Sequence, residues 1–121
     1  MKDNNLFEKA VKAFARYCEL KDYEVLEQNW STEGSEESIS LIAYEGDTLV
    51  FIDVKARNGL DDFIPESETD REAMEILAAK YLAQTNLESN VEIRFDIISL
   101  KVVREDRAML KYHINAFSVA A

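Results

Sequence analysis

The stretch SISLIAYEGDTLVFIDVKAR, residues Ser38 to Arg57, constrains this chain more tightly than any other. Two apolar runs flank Gly46-Asp47, a dipeptide suited to a two-residue hairpin turn. Such a turn pairs Glu45 with Thr48 and, counting back, Ala43 with Val50, Ser40 with Asp53 and Ser38 with Lys55. Strand alternation then puts Ile39, Leu41, Ala43, Val50, Ile52 and Val54 on one face. Ser38, Ser40, Ile42, Tyr44, Leu49, Phe51, Asp53 and Lys55 fall on the other. Both faces are apolar through the middle of the hairpin, so the sheet must be covered on both sides. The polar residues collect at one end, and that end is where a site is expected.

The flanking segments supply the covers. From Asn5 to Leu20, the residues Leu6, Ala10, Ala13, Phe14, Tyr17 and Cys18 recur at helical spacing, with Lys9, Lys12, Arg16 and Glu19 between them. DYEVLEQNW reads as a short strand entered after Asp22, and STEGSEES as a polar loop. After the loop NGLDDFIPESETDRE, a second helix carries the stripe Met74, Leu77, Ala78, Tyr81 and Leu82. NVEIRFDIISLKVV alternates Val91, Ile93, Phe95 and Ile97 against Glu92, Arg94 and Asp96, the pattern of a strand. A turn at REDRA leads to a last strand, MLKYHINAF. Helix, strands, helix, strands is the order of a small α/β domain with a mixed sheet flanked by helices. With 121 residues, three Gly and one Pro, one domain over 1–121 is expected, without internal repeats.

Chemistry concentrates at Asp53 and Lys55, two residues apart on one strand face. A magnesium-dependent nuclease uses this spacing to hold its metal and polarise a phosphate; elsewhere it is an ordinary solvated ion pair. Other reactive residues offer less. Cys18 is the single cysteine and sits in an apolar helical pattern, so a buried reduced thiol is expected. His113 alternates with Tyr112 and Ile114 in a strand, without a second His or a Cys to complete a metal site. Trp30 reads as core or rim packing. Fourteen basic residues against 24 acidic ones give a net charge of −10, which puts nucleic-acid binding at a disadvantage unless the cations are gathered locally. No apolar run approaches the roughly 20 residues of a membrane span, and the N-terminus lacks a secretory core. No membrane association and a cytoplasmic location are therefore expected.

YEVLEQNW, ISLIAYEGDTLVFIDVKAR, a helix ending AAKYLAQ, IRFDIIS and INAF follow one another as the landmarks of the YraN-like family do. The chain resembles that bacterial family over nearly its whole length. The resemblance implies a restriction-endonuclease-like fold, distantly related to Holliday-junction resolvases. It also implies a site in which an acid on each hairpin strand binds a divalent metal while a lysine steadies the phosphate. Mg²⁺ and Mn²⁺ need such anionic oxygen ligands. Carried onto this chain, the second-strand acid is Asp53, the lysine is Lys55, and Arg57 follows as a phosphate contact.

The first-strand acid is missing. The family's G-E-I-D falls on Glu37-Ser38-Ile39-Ser40, so serine stands at both Ser38 and Ser40. The family's helix-1 Glu falls on Val11, with Glu8 nearby, and the lysine opening its second helix falls near Asp70, beside Arg71. Arg94 and Asp96 occupy a landmark that reads as a structural hydrogen-bonded pair at the sheet edge. The expectation is an endonuclease-like, nucleic-acid-binding domain with a degenerate metal site, Asp53 and Lys55 as remnants, and no resident cofactor. One alternative is an acidic protein-interaction module on the same fold. Another is an active Mg²⁺- or Mn²⁺-dependent DNA endonuclease completed by Glu8 or Glu37. A one-residue strand slip is a further way to bring in Glu36 or Glu37, but it exchanges the faces. An uncovered edge strand would allow a homodimer.

Overall fold

A computed structural model describes residues 2–59, 69–85, 91–104 and 107–117. The elements run α1 (Lys2–Leu20), β1 (Tyr23–Trp30), β2 (Ile39–Glu45), β3 (Thr48–Asn58), α2 (Arg71–Thr85), β4 (Glu92–Arg104) and β5 (Arg107–Phe117). The expected loop over 58–72 and the turn at REDRA fall largely outside the described residues. The strands form one five-stranded sheet in the order β1-β2-β3-β4-β5. β1, β2 and β3 are antiparallel, β3 and β4 run parallel, and β5 returns antiparallel to β4. α2 lies in the β3-to-β4 connection, as a parallel pair requires a long crossover. This is the α/β, mixed-sheet architecture of a restriction-endonuclease-like fold.

Each face of the sheet has its own core. α1 covers one with Ala10, Val11, Phe14, Ala15 and Cys18 against Leu41, Val50, Ile52, Val54 and Ile98. α2 covers the other with Met74, Leu77, Ala78 and Tyr81 against Ile42, Leu49, Phe51, Phe95 and Ile97. Phe51 stacks on Phe95 with centroids 5.6 Å apart and meets the edge of Tyr81 at 6.1 Å. β2 and β3 are buried on both faces.

Two expectations are corrected. The buried stripe of α1 is rotated towards Val11 and Ala15, leaving Ala13 and Tyr17 exposed. Tyr17 sits at the rim, edge-on to Phe14 and beneath the ammonium of Lys21. Ile39 does not share the face of Leu41; it joins Ile42 and Phe51 beneath α2. The cause lies next door: Asn29 takes a left-handed backbone, φ 51°, which breaks alternation in β1 and turns Trp30 towards α2. Ile39 pairs with Trp30 and moves with it, and Trp30 meets Tyr81 edge-on at 5.1 Å. The hairpin register is as its turn dictates, with Glu45 opposite Thr48 and Ala43 opposite Val50.

Candidate functional site

Where the paired ladder of β2 and β3 stops at Leu41 and Ile52, a cleft of about 210 Å³ opens between the end of β3 and the start of α2. Glu37, Ser38, Asp53, Lys55, Asp70 and Met74 are among its lining residues. β3 places Asp53 and Lys55 on the α2 side because both alternate with Val54, which is buried under α1. Lys55 Nζ lies 3.3 Å from Asp53 Oδ2. The same oxygen accepts a hydrogen bond of 2.7 Å from the hydroxyl of Thr69, a residue only 6% exposed. Asp70 caps α2, its Oδ1 accepting from the backbone N–H of Ala73 at 3.0 Å.

Ser40 faces inward. At 2% exposure, its Oγ accepts a hydrogen bond of 2.9 Å from the backbone N–H of Val54. The hydroxyl thus serves the sheet. Val11, on which the resemblance places a helix acid, is fully buried in the core under α1. Glu8 and Glu36 are exposed and do not line the cleft. Glu37 lines it without the strand slip that would exchange the faces of β2. Among the described residues, no three His, Cys, Asp or Glu side chains are grouped so as to hold a metal ion. Asp53 is engaged by Lys55 and Thr69, and Ser40 by Val54.

Beyond the cleft, the sheet register assembles cations that the linear sequence scatters. Lys55 pairs with Ser99, which pairs with Lys111; one step on, Arg57 pairs with Lys101. Directly paired residues share a face, and neighbouring strands lie about 4.8 Å apart. Lys55, Arg57, Lys101 and Lys111 therefore rise from one side of the sheet within about 12 Å of backbone. His113 stands in the adjoining row, level with Asp53 through Ile97. Sequence reasoning named Lys55 and Arg57 and missed Lys101, Lys111, Thr69 and the cleft position of Asp70. No turn links β3 to β4, so nothing local fixes the register that brings the lysines in.

A second polar constellation lies on the α1 side. Asp96 is fully buried, and each of its oxygens accepts two hydrogen bonds. Oδ1 takes Arg94 Nε at 2.9 Å and the backbone N–H of Asn115 at 2.7 Å; Oδ2 takes Arg94 Nη2 at 2.9 Å and Tyr112 Oη at 2.8 Å. Arg94 also reaches Glu45 at 2.6 Å and Tyr23 Oη at 3.1 Å. Burial alone would lower the Arg94 pKa, but its bonds to Asp96 and Glu45 raise it above the usual range. Burial, reinforced by the Asp96 charge, raises the Tyr112 phenol. The network joins β1, β2, β4 and β5; Arg94 and Asp96 form the hydrogen-bonded pair expected at their landmark, but on the interior strand β4 rather than at the sheet edge.

The sequence model of the uncharacterised protein family UPF0102 matches residues 10–100, a span that includes the hairpin, α2 and most of β4. The chain belongs to UPF0102. This is the YraN-like family to which its landmarks point. A UPF0102 protein of Parafrankia is 34% identical over 106 residues, covering 85% of this chain and 87% of that one. A UPF0102 protein of Chlorobaculum tepidum is 34% identical over 90% of this chain and 85% of its own length. One from Geobacter sulfurreducens is 26% identical over 88% and 83%. No helix among the described residues is long and apolar enough to cross a membrane.

Proposed function

We propose that this UPF0102 protein binds nucleic acid through the sheet face bearing Lys55, Arg57, Lys101 and Lys111, and that its former metal site no longer supports efficient cleavage. One observation carries the reading: a chain of net charge −10 gathers four cations on adjacent positions of three strands, beside Asp53. Phosphate binding rewards such local density, because each neutralised phosphate releases condensed counterions. The carboxylate set works against cleavage. A hydroxyl at Ser40, already accepting from Val54, lacks the charge a divalent ion requires.

The test is fluorescence anisotropy with labelled single-stranded, duplex and branched DNA at low salt, comparing wild type with the triple variant Lys55→Ala/Lys101→Ala/Lys111→Ala. Wild type is expected to bind, with a salt slope that falls by roughly 0.7 to 0.9 for each cation removed. Equal affinity and slope in the triple variant would remove the basis of this reading. Absence of binding by the folded wild type would move the function to the acidic protein-interaction module. Mn²⁺-dependent cleavage that disappears in Asp53→Asn would overturn the degenerate-site half of the proposal.

A further inference from the structure

We propose that the cavity at the C-terminal end of α1 binds an alkylammonium group, that Tyr17 and Glu45 receive its cation, and that Lys21 is its internal competitor. The cavity, about 320 Å³, forms where α1, β1, β2 and β5 meet. Three tyrosines, Tyr17, Tyr23 and Tyr112, line it together with Lys21, Glu45 and Ile114. Its volume is at the small end of ligand pockets, the size for a compact amine. It adjoins the Asp96 network on the α1 side, so it is separate from the sheet face that carries Lys55 and from the reading built on that face.

The site already holds a group of this chemistry. Lys21 Nζ, the ammonium end of a four-carbon chain, lies 5.6 Å from the centre of the Tyr17 ring. The electron-rich face of an aromatic ring attracts such a cation. Lys21 is an exposed residue on a flexible stem, and Tyr17 is exposed as well, so an ammonium from solution can take the same seat.

The surrounding charges select a cation. Beside burial, the carboxylates of Asp96, Glu19 and Glu45 all push up the pKa of Cys18, which also lines the cavity. Two cations stand against these three anions: Arg94, committed to Asp96 and Glu45, and Lys21 itself. The carbonyl end of α1 adds partial negative charge, and its last turn carries no basic residue. An anion, a phosphate included, is disfavoured by the same balance. Glu45 is half exposed with one oxygen on Arg94, and a carboxylate can accept further donors, such as an ammonium N–H. Ile114, largely exposed, offers apolar surface to the alkyl chain.

Titration of the full chain with n-butylammonium, followed by NMR amide shifts, tests this, with n-butanol as the neutral analogue. Shifts at Tyr17, Lys21, Tyr23 and Tyr112 should move saturably with the ammonium and not with the alcohol. Lys21→Ala should tighten binding by about two- to fivefold, the worth of one exposed cation–π contact. Lys80→Ala, the same change of charge at an exposed position of α2, should leave affinity unchanged. Tyr17→Leu and Glu45→Gln should each weaken binding by about twofold or more, and the amide spectrum itself reports that they fold. Lysine blocked at both backbone ends distinguishes the sources of the group. Binding as tight as that of n-butylammonium assigns the site to a lysine side chain of a protein, and weaker binding assigns it to a free amine. An equal response to n-butanol, unchanged affinity in Lys21→Ala, or equal tightening by Lys80→Ala would overturn the proposal.

Discussion

Ser40 Oγ and the backbone N–H of Val54 lie 2.9 Å apart in the fully covered part of the sheet, where the ladder between β2 and β3 has just ended. The side chain supplies the acceptor that β2 no longer offers. Ser40 therefore closes the sheet beside Asp53.

Removing that acceptor should be costly. Ser40→Ala leaves the N–H of Val54 buried without a partner, an expected loss of about 1–3 kcal/mol by urea denaturation. Ser40→Asp probes the other role. It sets a second carboxylate beside Asp53, so the metal-free protein should lose stability and regain part of it with Mn²⁺. Thermal unfolding with and without Mn²⁺ reads the difference. A variant indifferent to the metal would mean that more than the Ser40 position has been lost from the site.

The Asp96 network makes a contrast between two charge pairs that share Arg94. Asp96→Asn removes a fully buried charge that holds Arg94, Tyr112 and the backbone at Asn115, at an expected cost of about 3 kcal/mol or more. Glu45 is half exposed, and Glu45→Gln should cost less than about 1 kcal/mol despite its short contact. Denaturant midpoints for the two variants should separate clearly. Equal losses would place the energy in the outer pair.

Cys18 gives a pH signature. Burial, helped by the charge of Asp96, pushes its thiol from about 9 up to about 11. Below pH 9 the thiol is protonated in both states, and its contribution is complete. Between about 9 and 11 the unfolded chain ionises while the folded one resists, so stability falls by roughly 2–3 kcal/mol and then levels off. Cys18→Ala should flatten this part of the profile. The raised Tyr23 and Tyr112 add losses in alkali, so the quantity to measure is the difference between wild type and variant.

The hairpin was legible because its turn is local: Gly46-Asp47 fixes the pairing of Glu45 with Thr48, and alternation does the rest. The Arg94–Asp96 pair was legible from the landmark IRFDIIS, and a shared strand face makes the two residues neighbours. The flip of Ile39 was not. It depends on a left-handed Asn29 whose reason is the seat for Trp30 against Tyr81, a tertiary fact. Lys101 and Lys111 escaped for a related reason. A parallel pair joined through a helix has no turn to count from, so the row linking Lys55, Ser99 and Lys111 emerges only with the sheet. Thr69 escaped as well, since nothing in the sequence joins it to an aspartate sixteen residues earlier.

Asp53 separates a remnant from a working ligand. As a remnant, its negative charge stands beside cations proposed to meet phosphate, and it draws Lys55 to 3.3 Å. Asp53→Asn should then free Lys55 for the backbone of the nucleic acid and remove a repulsive charge, tightening DNA binding by a fewfold at low salt. Thr69 can still donate to the amide oxygen, so the fold should hold, with a change of at most about 1 kcal/mol. If Asp53 were instead working through a divalent ion, the same substitution would weaken binding in Mn²⁺ and leave it unchanged in chelator. Anisotropy titrations of both proteins under the two conditions distinguish these outcomes, because the predicted effects on affinity differ in sign.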